Sequence, residues 1–285
     1  MIRLELGEEP VALTRARSRR LAKAIELFGK HGVSDTLRAS LDGYREAVAE
    51  PLFLRQHKRC AYCERPIGLD GNPVEHFRPK REAHRDAVVD QDRYWWLTWT
   101  WENLVLACES CNARKGNHFP LEPGSQPLPL PTRPTGGTLN DDVFDLPREH
   151  PMLLDPRHDD PHQLCWWTVD DPELPMIAWK WRLNTRSERA RRTVELLALD
   201  AIADFVDQLY LSTVLPQWRT IETIAATDAQ KAASEWRNLE QRLLREPCMF
   251  PLALWSMLDR LRSQGGLVAL NLPATTPPIV RQARA

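Results

Sequence analysis

Apolar residues recur at three- and four-residue intervals in two N-terminal stretches, with Leu21, Ile25 and Phe28 in the first and Leu37, Leu41, Tyr44 and Val48 in the second. That period marks amphipathic helices. The spacing therefore predicts two or three helices over about 14–28 and 35–57, with Pro51 the only proline inside them. The period then changes. Between Cys60 and Pro120 the apolar runs PVEHF and NLVLAC are short, and turn residues such as Asp70-Gly71-Asn72-Pro73 separate them. This predicts hairpins in a compact, zinc-ribbon-like unit. The helical period returns over about 186–210, 228–246 and 251–263, with Asp228 as an N-cap and Gly265-Gly266 as a stop.

The segment LEPGSQPLPLPTRPTGGTLNDDVFDLPREHP is too rich in Pro and Gly for a helix or a central strand and reads as a long surface loop. After it, alternating aromatic and β-branched residues up to about Leu183 suggest a few strands packed on the preceding unit. The last residues, NLPATTPPIVRQARA, read as extended or disordered. The pattern predicts an α+β chain, mainly helical. It divides into an N-terminal helical region (1–58), a central unit (59–122), a Pro-rich loop with short strands (123–185) and a C-terminal helical region (186–285).

Composition narrows the class. With 42% hydrophobic and 27% charged residues the chain is an ordinary globular protein. No apolar run reaches the roughly 20 residues of a membrane span, and MIRLELGEEP carries no secretory h-region, so a cytoplasmic protein with no membrane contact is expected. A net charge of -1 argues against coating nucleic acid by bulk electrostatics. Positive charge is local: TRARSRRLAK holds five basic residues and no acidic one, and residues 55–85 hold eight basic against four acidic. The first cluster reads as a solvated helix face; the second surrounds the candidate chemistry.

Four of the six cysteines form two C-x-x-C pairs, Cys60/Cys63 and Cys108/Cys111, separated by 44 residues. Two such pairs can supply four thiolates to a tetrahedral Zn2+, which leaves no open position and makes the metal structural. Between the pairs, Glu75-His76 places a carboxylate beside an imidazole on a strand-like run. Neighbouring strand positions face opposite sides, so one can hold a metal while the other faces a substrate, unless a bend brings both to one ion. Trp95, Trp96, Trp99 and Trp101 could stack on bases but read as an aromatic core, as do Trp166, Trp167, Trp179 and Trp181. His158, His162 and Cys165 have metal-compatible spacing, but DPRHDDPH reads equally as a polar turn.

Read in order, CAYC, VEHFRPK and WENLVLACESCNARKG resemble the HNH nuclease family, the ββα-metal or His-Me finger nucleases, over about 60–119. The resemblance implies a central zinc-stabilised ββα-metal unit. In it His76 is the general base, Glu75 the acidic metal ligand, Asn112 the second ligand and Asn103 the brace of the intervening loop. Lys115 matches a basic residue that contacts phosphate, and Arg78, Lys80 and Arg81 are further candidates for nucleic-acid contacts. Glu75 stands where the family usually has Asp, and Asn112 is a neutral ligand where His is an alternative. His118 could add a ligand, although a surface His beside Pro120 is the plainer reading. Oxygen ligands suit Mg2+ or Mn2+ rather than zinc.

GEEPVALTRAR, YCERPIG, VEHFRPK, FPLEPGS, PMLLDPRHDDP and RSERARRTVELLALD are similar to a narrower group, the HNH nuclease subunits of retron and Septu-type antiphage systems. That similarity implies a partner ATPase of the ABC/SMC-like type and a role in phage defence. The expected function is a metal-dependent endonuclease acting on DNA, with RNA as the alternative substrate. A non-catalytic, zinc-stabilised nucleic-acid-binding or adaptor protein is the competing class.

Overall fold

The computed structural model describes residues 1, 3–132, 138–160, 163–168, 171, 173–245, 248–263 and 280–281. Pro10 opens helix α1 (Val11–His31), which closes at Gly32, where φ is +65° and the N–H reaches Phe28 O. Glycine suits that left-handed C-cap. The second periodic stretch does not form one helix. It splits into α2 (Asp35–Ala39), capped by Ser34, and α3 (Arg45–Arg55), because Leu41-Asp42-Gly43 turns between them with Gly43 at φ +67°. That turn sets the position of Tyr44.

The central unit is built on two strands of three residues. β2 (Val74–His76) pairs antiparallel with β5 (Leu104–Leu106), His76 opposite Leu104 and Glu75 opposite Val105. A second small hairpin, β3 (Ala83–Arg85) with β4 (Val88–Asp90), interrupts the connection. Two single 3₁₀ turns, Trp95–Leu97 and Trp101–Asn103, then lead into β5, and α4 (Glu109–Lys115) follows it. Trp95, Trp96, Trp99 and Trp101 are each at most 1% exposed, so all four are core.

The Pro-rich segment holds no strand or long helix among its described residues, as its composition predicts, but it is not merely a surface loop. Leu128, Val143 and Glu149 are buried. Glu149 anchors it: its carboxylate receives Arg78 Nε at 2.8 Å and Leu128 N at 3.1 Å, and the Tyr94 hydroxyl also donates to it. The loop thus closes over the central unit through one buried carboxylate.

Of the few strands expected here, β6 (Leu164–Trp167) and β7 (Arg182–Thr185) pair antiparallel, and they pack on α9 (Pro251–Ser263) rather than on the central unit, with Trp166 N donating to Ser256 Oγ at 3.1 Å. The C-terminal region has α5 (Glu188–Leu197), α6 (Ala203–Leu209), α7 (Leu215–Ala225) and α8 (Ala229–Leu244), the last capped by Asp228 as predicted. The periodic stretches omit α7, which carries Pro216. It lies in the first helical turn, where proline is tolerated. Strand β1 (Leu4–Glu5) pairs with β8 (Val280–Arg281) as a short parallel ladder. Gly265, Gly266 and the rest of 271–285 lie outside the described residues. No described helix is long and apolar enough to cross a membrane.

The side chains of Arg78 and Glu149 are 5% and 0% exposed. Removing one member of such a pair strands a buried charge. Glu149→Ala is therefore expected to lose about 3–5 kcal/mol of stability in urea unfolding, and Arg78→Met/Glu149→Leu to recover most of it.

Candidate active site

The β2 pleat sends Glu75 and His76 to opposite sides, and a different partner meets each. Glu75 Oε1 lies 2.6 Å from Lys115 Nζ on α4 and, that contact apart, has no hydrogen-bond partner although it is buried. Burial pushes the Glu75 carboxyl above its ordinary range, against the pull of Lys115. Lys115 also donates to the His76 carbonyl at 2.9 Å, so one cation ties α4 to both residues.

His76 is 5% exposed. Its Nε2 lies 3.0 Å from Thr98 O. A carbonyl oxygen only accepts, so Nε2 carries the proton and Nδ1 holds the free lone pair. Burial, with the nearby Lys80 charge, pushes the imidazole down to about 3, which keeps it neutral at working pH. The ring of Tyr44 stands edge-on to it, 4.6 Å between centroids.

Asn103, fully buried, fixes the loop between these pieces. Its Oδ1 accepts from Arg78 N at 2.7 Å, and its Nδ2 donates to Arg78 O at 3.0 Å and Leu97 O at 3.3 Å. The bonds hold the chain leaving β2 against the turn that presents Thr98. Asn112 is half-buried on α4, three residues before Lys115 and so on the same side of the helix. Its side-chain amide makes no hydrogen bond among the described residues.

Directly before Asn112 lies the cysteine cage. The sulfurs of Cys60, Cys63, Cys108 and Cys111 all fall within 4.8 Å of one another, with Cys63 and Cys108 Sγ 3.8 Å apart. A tetrahedron of Zn–S bonds near 2.3 Å has edges of about 3.8 Å, so the cage could hold zinc. Burial pushes the Cys60 thiol well above its ordinary value, and a bound cation would let four crowded thiolates coexist.

Residues 60–118 match the family described as HNH endonuclease. This segment is an HNH endonuclease domain. Over 169 residues, 57% of this chain, the sequence is 27% identical to Septu protein PtuB of Bacillus mycoides (strain KBAB4), covering 53% of that protein. Over 175 residues, 61% of this chain, it is 23% identical to Septu protein PtuB of Bacillus thuringiensis, covering 47%. The chain thus spans about half the length of these curated relatives. No solved structure gives a significant match.

Within the HNH domain the expected phosphate contacts need correction. Lys115 is fully buried on Glu75 and Arg78 is buried on Glu149, so neither meets a phosphate at the surface. Lys80 is partly buried, donating to Leu41 O at 3.0 Å and Tyr44 Oη at 2.6 Å, and only Arg81 of the four is exposed. His118 is exposed and its ring meets that of His84 at 5.5 Å; it does not join the cysteines or Glu75 in any metal-sized cluster of described residues. Residues 155–160 of the DPRHDDPH stretch form a polar turn: His158 Nδ1 pairs with Asp155 Oδ2 at 3.0 Å, and Arg189 clamps Asp159. It borders a cavity of about 540 Å3 that also touches Arg78 and Glu149 but neither His76 nor Glu75. His162 lies outside the described residues.

Tyr44 is the residue that sequence reasoning missed, since it reads as one more apolar position of a helix. The signal available was the Asp42-Gly43 turn directly before it.

If the cage holds zinc, elemental analysis is expected to give about one zinc per chain. Cys111→Ser is expected to lose that metal and lower the melting temperature, and a zinc-free wild type in reducing buffer would refute the assignment.

Proposed function

We propose that the chain is a divalent-metal-dependent endonuclease that hydrolyses DNA phosphodiester bonds, acting in antiphage defence with a partner ATPase of the ABC/SMC-like type. One observation carries the catalytic part: His76 is held as the tautomer protonated at Nε2, with the Nδ1 lone pair left free to accept a proton, next in sequence to a buried carboxylate on the same strand. A protein that only binds nucleic acid needs neither feature.

The order β2, β5, α4 supports reading a ββα-metal unit here, with the family's division of roles. His76 Nδ1 takes the proton of the attacking water while Nε2–H stays donated to Thr98 O, so the ring keeps its orientation as it becomes charged. Asn103 keeps Thr98 and β2 in register through its bonds to Arg78 and Leu97. Glu75 and Asn112 would hold Mg2+ or Mn2+. The donor set fits, being a carboxylate whose buried Oε1 has only Lys115 beside it and an amide free of internal bonds. The ion, when bound, offsets charge on the phosphoryl group and the leaving 3'-oxygen. Lys115 steadies Glu75 through their ion pair, and Arg81 offers an exposed charge to the backbone phosphates.

Defence and the ATPase partner rest on the likeness to the two Septu PtuB proteins, and on the flanking stretches similar to nuclease subunits of such systems. The cysteine cage is read as a structural zinc site that fixes the start of α4 and hence Asn112.

The test is cleavage of plasmid and of total RNA with Mg2+ or Mn2+, with and without the ATPase. His76→Ala is expected to cut roughly 10²–10⁴-fold more slowly than wild type, the range of a lost general base. Equal cleavage by the variant sinks the mechanism, and cleavage of RNA alone reverses the choice of substrate.

A further inference from the structure

Tyr44 lies outside residues 60–118, yet it forms a wall of the candidate site. Its ring edge covers His76, and its hydroxyl oxygen accepts from Lys80 Nζ at 2.6 Å, with the ammonium 4.1 Å from the ring centroid. Because that oxygen accepts from Lys80, its own O–H points elsewhere, and no described residue accepts it. Lys80 has three N–H groups. One goes to Leu41 O and one to Tyr44; the third has no acceptor, and no carboxylate lies within ion-pair distance of Lys80 among the described residues. Two unspent donors therefore sit side by side next to the candidate base.

Their placement is rigid. The Leu41-Asp42-Gly43 turn is bolted to the HNH domain at two points, by Trp99 Nε1 donating to Asp42 O at 3.0 Å and by Lys80 donating to Leu41 O. Trp99 directly follows Thr98, whose carbonyl fixes the His76 tautomer. One short segment thus sets both the base and the turn that carries Tyr44. Burial and the neighbouring Arg81 push Lys80 down to about 8, against the weaker pull of Asp42 and Glu75.

We infer that Tyr44 Oη and Lys80 Nζ together receive a non-bridging oxygen of the scissile phosphodiester, which makes Tyr44 a catalytic residue contributed by the N-terminal helices. This rests on the nuclease reading above. A phosphoryl oxygen is anionic and accepts several hydrogen bonds, so it matches one neutral and one cationic donor that converge from one side. Donors fixed before the reaction stabilise charge that grows on that oxygen without reorganising. No bond to the protein forms, and neither donor gives up its proton.

Tyr44→Phe keeps the ring over His76 and removes only the hydroxyl. It is expected to lower kcat about 100-fold, the loss typical of one oxyanion donor, with KM, DNA affinity and melting temperature unchanged. A phosphorothioate at the scissile position, with sulfur in place of the contacted oxygen, is expected to slow the wild type in one diastereomer and to add little to the defect of Tyr44→Phe. Wild-type kcat in Tyr44→Phe, or an undiminished sulfur effect in that variant, overturns the inference while leaving a His76-dependent nuclease intact. A wild type that does not cleave, or a fully active His76→Ala, defeats the nuclease reading and this inference with it.

Discussion

Two strands of three residues make too short a ladder to hold catalytic groups by backbone bonds alone, and the structure lengthens it with buried side-chain amides. Gln56, 1% exposed, brackets Leu106 as a strand neighbour would, donating to its carbonyl at 2.8 Å and accepting from its N–H at 2.7 Å. Asn103 does the same for Arg78 at the other end. Each such bond is worth about 1 kcal/mol net, whereas a buried amide left unpaired costs about 1–3 kcal/mol. The arrangement therefore tolerates little slippage. His76 and Glu75 keep their opposite facings because the ladder on either side of them cannot shift.

Charge is used in the same way. Lys115 with Glu75, and Arg78 with Glu149, are cations withdrawn from solvent onto a carboxylate of another segment. Pairs of this kind seldom add stability over an apolar replacement, since desolvation offsets the attraction. What they supply here is address. Lys115 brings α4 to β2, and Glu149 brings the Pro-rich loop to the chain that leaves β2.

How legible this was depended on how local each feature is. The C-x-x-C pairs and the tryptophan clusters declare themselves by spacing, and the cage and an aromatic core followed, except that Trp167, expected in that core, is 43% exposed; the Glu75-His76 dipeptide gains its meaning only from the ordered series CAYC, VEHFRPK and WENLVLACESCNARKG. The mainly helical character and the β2–β5 hairpin were legible for the same reason. The fate of the basic residues was not. Arg78 meets its carboxylate 71 residues away, and nothing local distinguishes it from exposed Arg81. Tyr44 fits a helical period as well as Val48 does, and only the close approach of two distant segments gives it a second role. The packing of the β6–β7 hairpin on α9 is likewise a long-range outcome.

The withdrawal of Lys115 and Arg78 also bears on how the proposed nuclease would respond to salt. Each phosphate neutralised by a protein cation releases condensed counterions, and the logarithm of affinity then falls against log salt by about 0.9 per contact on duplex DNA. Cations already neutralised by Glu75 and Glu149 release none. In a chain of net charge -1, the HNH domain would hold its substrate through few screened contacts, and its grip would change little with ionic strength. Delivery of the duplex would then fall to whatever surface, its own or a partner's, carries the remaining positive charge.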